Sequence, residues 1–215
     1  MIILVFGWIG FNGVSTLAAT DLRFSVIIVN TFIACSAGAL ASMFLVWKLW
    51  GKPDPSMTAN GMLAGLVAIT APCAFVSTIG AAIIGIIAGV LVVGSIIFVE
   101  RYMKVDDPVG AVSVHVVCGL WGLLALGLFA DGTYGDGFNG VAGTVRGLFY
   151  GGGWGQAGAQ AISMVVVAIW AFGLMYAFFQ IQKKVQGIRV SRDEEMIGLD
   201  VPEMGVPAYP ASLHL

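Results

Sequence analysis

The sequence predicts an all-α polytopic membrane protein, and three observations carry that prediction. Of its 215 residues 59% are hydrophobic and only 10% charged, with a mean hydropathy of +0.95, whereas a soluble globule has roughly 25% charged residues. The apolar residues fall into six stretches, each about as long as the roughly 20 residues a helix needs to cross hydrocarbon. Glycine, at 30 residues, is about twice as frequent as its average of roughly 7%, a bias by which membrane helices bring their backbones together. A soluble fold is excluded. A net charge of −2 offers no basic surface, so nucleic acid is excluded as a partner.

Charges and helix breakers punctuate the chain into spans at residues 1–20, 24–50, 57–76, 79–99, 108–130 and 157–182. Together they make a transmembrane bundle over 1–187, followed by a polar tail over 188–215. The first stretch has no basic leader and no small-residue cleavage pattern, so it reads as a span and not as a signal peptide. Between the third and fourth stretches only a short polar break intervenes; Pro72 and Gly80 favour a tight helical hairpin there over one long hydrophobic segment. Gly61-x-x-x-Gly65 and Gly85-x-x-x-Gly89 are small-residue patterns for helix contact.

Six spans place both ends of the chain on one side of the membrane. Eight of the ten Lys and Arg residues (Lys48, Lys52, Arg101, Lys104, Lys183, Lys184, Arg189 and Arg192) then share that side, and only Arg23 and Arg146 lie opposite. By the positive-inside rule the C-terminal tail is expected to be cytoplasmic.

Catalytic chemistry finds no residues to use. The outer segment 131–158 holds eleven glycines, and Gly135–Gly140 fits G-x-G-x-x-G, but no βαβ unit surrounds it and the pattern carries no nucleotide there. No zinc-protease helix motif, nucleophile elbow or pocketed carboxylate pair occurs. Cys35, Cys73 and Cys118 stand singly in apolar runs, without metal-ligand spacing. No enzyme activity, cofactor or metal is expected.

One ionisable side chain lies inside a span, His115. Even a neutral imidazole has a donor and an acceptor that hydrocarbon cannot satisfy, so it must face a helix, a cofactor or a pathway. At helical spacing its neighbours are Ala111, Cys118, Gly119 and Gly122, small residues that suit either a narrow lumen or close helix contact. The chain has no second intramembrane histidine to pair with it around a haem. In the first span, Trp8, Phe11, Asn12 and Ser15 are the residues with chemistry. Phe11 and Ser15, four apart, share a face and could present a ring and a hydroxyl to one passing molecule; equally, the serine could bond its own i−4 carbonyl.

An ordered set of segments is similar to one known family. GWIGFNGVSTLAA at 7–19, GLVAITAPCAFVSTIGAAIIGIIAG at 65–89, VDDPVGAVSVHVVCGLWG at 105–122, DGTYGDGFNGV and GLFYGGGWGQ in the outer segment, and GIRV with EEMIGLDVPEMGVPAY in the tail resemble the ammonium transporter (Amt/MEP/Rh) family over nearly the whole chain. The resemblance implies an eleven-span protein of two inverted five-span repeats plus a long last helix, assembled as a homotrimer with one pore per protomer. This chain resembles spans six to eleven, the second repeat and the final helix, and is expected to be a partial or split transporter that needs a first-repeat segment.

By that resemblance, Phe11 corresponds to one of two stacked phenylalanines gating the outer vestibule, Ser15 to the hydroxyl that helps recruit ammonium, and His115 to the second of a pair of pore histidines. The other members of those pairs, and the vestibule tryptophan, belong to the first repeat. Gly110 stands where many members carry aspartate, and Met204 and Val206 where histidine and glutamate are frequent. The tail implies a PII-type signal protein as a regulatory partner, and a non-conducting sensor as the alternative function. The implied mechanism recruits ammonium at aromatic faces and the Ser15 hydroxyl, removes a proton below Phe11, and passes ammonia along His115. An intact ion at the bilayer centre costs about 2.5 to 3.5 kcal/mol on insertion scales. Potassium, with no proton to lose, is thereby excluded.

Overall fold

The computed structural model describes residues 1–17, 19–20, 22–133 and 143–208. They form helices α1 (Ile2–Val14), α2 (Leu22–Trp50), α3 (Pro55–Thr70), α4 (Thr78–Phe98), α5 (Cys118–Phe129) and α6 (Gly153–Val185), followed by short helices α7 (Arg192–Ile197) and α8 (Asp200–Met204). The chain divides into two compact units, Met1–Val166 and Val167–Leu215, with α6 running from one into the other. The predicted all-α polytopic membrane fold is what the structure shows. Each predicted span holds a helix.

The ends of these helices differ from the expectation in instructive ways. Four helices are long and apolar enough to cross a membrane: Leu22–Trp50, Thr78–Met103, Val112–Phe129 and Gly153–Val185. The first helix has 13 residues, about 20 Å at 1.5 Å per residue. It stops short of residue 20: the Thr16 and Leu17 N–H groups bond to the i−3 carbonyls of Gly13 and Val14, and Leu17 takes a left-handed backbone with φ of 62°. The hairpin between the third and fourth helices is real. α3 ends at Thr70 and α4 begins at Thr78, where Ser77 caps it by accepting the Gly80 N–H, a contribution of about 1 kcal/mol. Asn30 of α2 holds the turn: its Nδ2 donates to the carbonyls of Cys73 at 2.9 Å and Val76 at 2.8 Å. Those carbonyls lie at a helix end and have no intrahelical donor, so a fully buried amide is well used there.

Helix α2 is the centre of the first unit. Its buried residues Ile27, Thr31, Ala34, Gly38 and Ser42 recur at three- and four-residue intervals, one continuous stripe. Both small-residue patterns read from the sequence dock on that stripe. The Ala34 carbonyl lies between Gly65 of α3 and Gly85 of α4, and one turn along, the Gly38 carbonyl lies between Gly61 and Gly89. A Cβ on any of these four glycines would come within 3.0 Å of α2. Leu66, Ile69, Ile84, Val92 and Val93 fill the remaining core. Backbone-to-backbone packing substitutes for the hydrophobic drive that lipid does not supply.

In the second unit, Ser191 and Glu194 form a reciprocal capping box on α7, and Arg189 pairs with Glu195. The Ser191 hydroxyl, and secondarily its backbone N–H, hold the Glu194 carboxyl below the usual glutamate range. Because the folded value is the lower one, this contribution is complete above the unfolded pKa and is lost as pH falls through the folded pKa. An NMR titration should therefore show Glu194 protonating below the usual glutamate range in the native tail and moving up toward it in Ser191→Ala. Identical titrations in the two would mean that the box does not persist in solution.

Candidate functional site

The three residues singled out by sequence all lie on the first unit, and all three are exposed there. Phe11 is held outward by its neighbours on α1. Trp8 Nε1 donates to Thr70 Oγ1 of α3 at 2.9 Å, and Asn12 Nδ2 donates to Thr31 Oγ1 of α2 at 3.0 Å. With Trp8 and Asn12 turned onto the bundle, the ring of Phe11 stays 61% exposed, edge-on to Trp8 with centroids 6.1 Å apart. Ser15 takes the i−4 arrangement: its Oγ donates to the Phe11 carbonyl at 2.6 Å. The hydroxyl's proton is thus used internally, and the oxygen lone pairs are left to accept from an external donor.

Of the small residues that regular helical spacing places beside His115, Ala111 lines the same groove, and Cys118 and Gly122 do not. Cys118 is fully buried with its thiol toward the Ala88 carbonyl of α4, and a Cβ on Gly122 would strike the Ala68 backbone of α3. Those two positions are helix contacts. The imidazole points elsewhere because Val112–Val117 forms a π-helical turn. An i→i+5 turn inserts a residue into the helical register and rotates the residues before it relative to those after it, a feature often found at functional sites. Packing locks the turn in place. Buried Ser113 accepts from Ser95 of α4 at 2.9 Å, and Trp121 of α5 donates to the Ile84 carbonyl.

The start of this helix is fixed by a residue that sequence reasoning passed over. Asp107, only 6% exposed, accepts the Ala111 N–H at 2.7 Å on one carboxylate oxygen and the Val112 N–H at 2.9 Å on the other. Negative charge at a helix N-terminus is favoured by both the free N–H groups and the helix dipole. Asp followed directly by Pro108 at a helix start was the available signal.

His115 opens onto a groove of about 360 Å³ that Met1, Asn60, Leu63, Val109 and Val114 also line. Apart from the imidazole, the carboxamide and the Ser56 hydroxyl, its walls are apolar. Met1 marks this level on the first helix, so Phe11 and Ser15 stand roughly 15 and 21 Å further along at 1.5 Å per residue. The structure therefore does not gather the three residues into one pocket. Phe11 and Ser15 lie at one level of the first unit and His115 at another, each exposed. No group of three or more metal-ligating side chains occurs among the described residues. The segment Gly135–Gly140 and residues 209–215 lie outside the described residues.

Comparison with known proteins gives consistent matches. The Ammonium Transporter Family description matches residues 1–209. The chain is 51% identical over 208 residues to the ammonium transporter Amt2 of Archaeoglobus fulgidus, covering 97% of this chain and 44% of that protein. It is 34% identical to ammonium transporter 1 member 1 of Solanum lycopersicum, over 96% of this chain and 45% of that one. Among solved structures, a sensor Amt protein superimposes with a TM-score of 0.81 at 35% identity, over 94% of this chain and 47% of that chain. Saccharomyces cerevisiae Mep2 superimposes with a TM-score of 0.83 at 26% identity, over all of this chain and 47% of that one. The chain spans less than half the length of the curated relatives it matches.

Proposed function

The chain belongs to the ammonium transporter family, and from that premise we propose that it forms one wall of a pathway carrying ammonium nitrogen across the membrane. Ammonium is recruited at the outer end, where the Phe11 ring offers a π-face and the Ser15 oxygen accepts an N–H. The ion loses a proton there and continues as ammonia. At His115 the imidazole gives ammonia a hydrogen-bonding partner in a largely apolar groove and can relay the proton. The observation that carries this reading is the exposure of His115 on a membrane-embedded helix. Lipid cannot satisfy an imidazole, so the face that bears it, with Phe11 and Ser15, is the face another segment covers.

That segment is the first-repeat half of the same fold, which completes the pathway, and three such assemblies form the trimer. The transporter lies in the plasma membrane with its C-terminus in the cytoplasm, an orientation supported by the distribution of Lys and Arg. A second reading, a sensor whose tail engages a PII-type signal protein, is favoured by the likeness to a solved protein titled as a sensor. Methylammonium uptake in cells lacking their own ammonium transporters separates the two. The chain with a first-repeat segment should restore saturable uptake, and the chain alone should not. Uptake by the chain alone would remove the need for a complementary half, and an assembled, inert pair would favour the sensor.

A further inference from the structure

We infer that Asn60 is a second substrate-contacting residue on the ammonia path, acting with His115 at the end of the pathway remote from Phe11 and Ser15. The inference rests on the transport reading above and extends it to a residue of α3.

Three asparagines fall among the described residues, and they are used differently. Asn12 and Asn30 spend their amide N–H groups inside the bundle, on Thr31 and on the Cys73 and Val76 carbonyls. Both are buried and serve packing. Asn60 is half-buried and lines the same groove as His115. Among the described residues its carboxamide has no hydrogen-bond partner. A carboxamide on the wall of an otherwise apolar groove, with no internal partner, needs an external one.

The loop opposite lies against the Asn60 amide and the Ile96 side chain. Gly110 has a left-handed φ of 69°, and a Cβ added there would lie 3.2 Å from Asn60 Nδ2 and 2.9 Å from Ile96 Cδ1. The space that a side chain at position 110 would take is shared by Ile96 and this amide. Gly110 is itself fixed, its N–H donating to the Asp107 carbonyl at 2.9 Å, while the Asp107 carboxylate holds the two following N–H groups. The amide is therefore positioned against a rigid turn and faces an apolar groove whose other walls include Met1, Leu63 and Val114.

Ammonia has three N–H donors and one lone pair. An imidazole can meet one of these at a time. The Asn60 Oδ1 can accept a further N–H, and its Nδ2 can donate to the lone pair. Together the two side chains give the molecule a successive hydrogen-bond partner as it leaves His115. They do so without a fixed charge that would also hold a potassium ion.

The test uses the complete transporter, with this chain and its first-repeat segment, and compares wild type with Asn60→Leu and Asn60→Gln. Leucine has a similar volume and no polar atoms. We expect the maximal ammonium uptake rate of Asn60→Leu to fall by about tenfold, the effect of roughly one net hydrogen bond, with glutamine recovering most of it. The ammonium concentration at half-maximal rate should stay unchanged, because it is set at the Phe11 and Ser15 end. Folded protein per cell, measured on each variant, should match wild type. Wild-type maximal rate in Asn60→Leu would overturn the inference while leaving the transport reading standing. So would a loss matched by a rise in the half-maximal concentration or by less folded protein. An inert wild-type assembly would instead overturn the transport reading on which this one rests.

Discussion

Gly65→Leu is expected to leave no folded protein, and even Gly65→Ala should lower stability measurably. A Cβ at Gly65 would lie 2.8 Å from the Ala34 carbonyl carbon and 3.1 Å from the Cys35 Cα. Both are backbone atoms of α2, so no rotamer change can relieve the contact; α3 must move away bodily. The same Ala34 peptide is clasped on its other side by Gly85 of α4, and a displaced α3 therefore loosens the three-helix junction at the centre of the first unit. Overpacking of a core costs typically about 1 to 3 kcal/mol when flexible side chains absorb it. With backbone on both sides the cost for leucine should exceed about 3 kcal/mol. Gly94 of α4 is the internal control, since nothing lies within 4 Å of a Cβ built there. Gly94→Ala should stay within about 1 kcal/mol of wild type, the size of the helix-propensity difference. Thermal unfolding in detergent, read beside the yield of monodisperse protein, compares the two. Equal behaviour of Gly65→Ala and Gly94→Ala would mean that the close approach on α2 does not hold the bundle together.

These glycines also show how much was legible beforehand. The four-residue spacing of Gly61 with Gly65 and of Gly85 with Gly89 announced helix contacts, and the structure seats both on α2. The start of α3 behind Asp54 and Pro55, with Asp54 Oδ1 accepting the Met57 N–H, and the start of α4 behind Ser77 likewise come from local chemistry that a sequence displays. The direction of His115 was not legible in this way. A π-helical turn has no residue signature of its own. It forms because contacts distant in sequence, such as Ser95 with Ser113 and Trp121 with the Ile84 carbonyl, settle α5 in a register that regular spacing does not allow for. The end of α1 at Val14 was hidden for a different reason. Ser15, Thr16 and Thr20 occur within membrane helices as readily as at their ends, and only the i−3 backbone bonds of Thr16 and Leu17 and the left-handed Leu17 show that the helix has stopped. Asn60 was invisible because its significance lies in Gly110, fifty residues away and brought beside it by the fold.

His115→Leu in the complete transporter should lower ammonium uptake by about tenfold while potassium stays excluded. Leucine fills a similar space and removes both ring nitrogens, so ammonia loses one of its two hydrogen-bond partners in that groove, the other being Asn60. A net hydrogen bond contributes roughly 1 kcal/mol, and about 1.4 kcal/mol corresponds to a factor of ten. Selectivity behaves differently, because it rests on the penalty for an intact cation in hydrocarbon, about 2.5 to 3.5 kcal/mol or more. Leucine leaves that penalty in place. His115→Asp separates the two effects, since an ionised carboxylate at the same level supplies a counter-charge that offsets the penalty for any small cation. That variant should admit potassium, seen as a potassium-driven current absent from wild type and from His115→Leu. Within this chain His115 is exposed on a π-helical turn, so neither substitution disturbs a contact of its own bundle. Folded yield of each variant of the complete transporter, measured beside wild type, separates a loss of conduction from a loss of assembly. Unaltered uptake in His115→Leu together with unaltered potassium exclusion in His115→Asp would place the imidazole outside the pathway. The exposed face would then have to be an assembly surface and not a lumen.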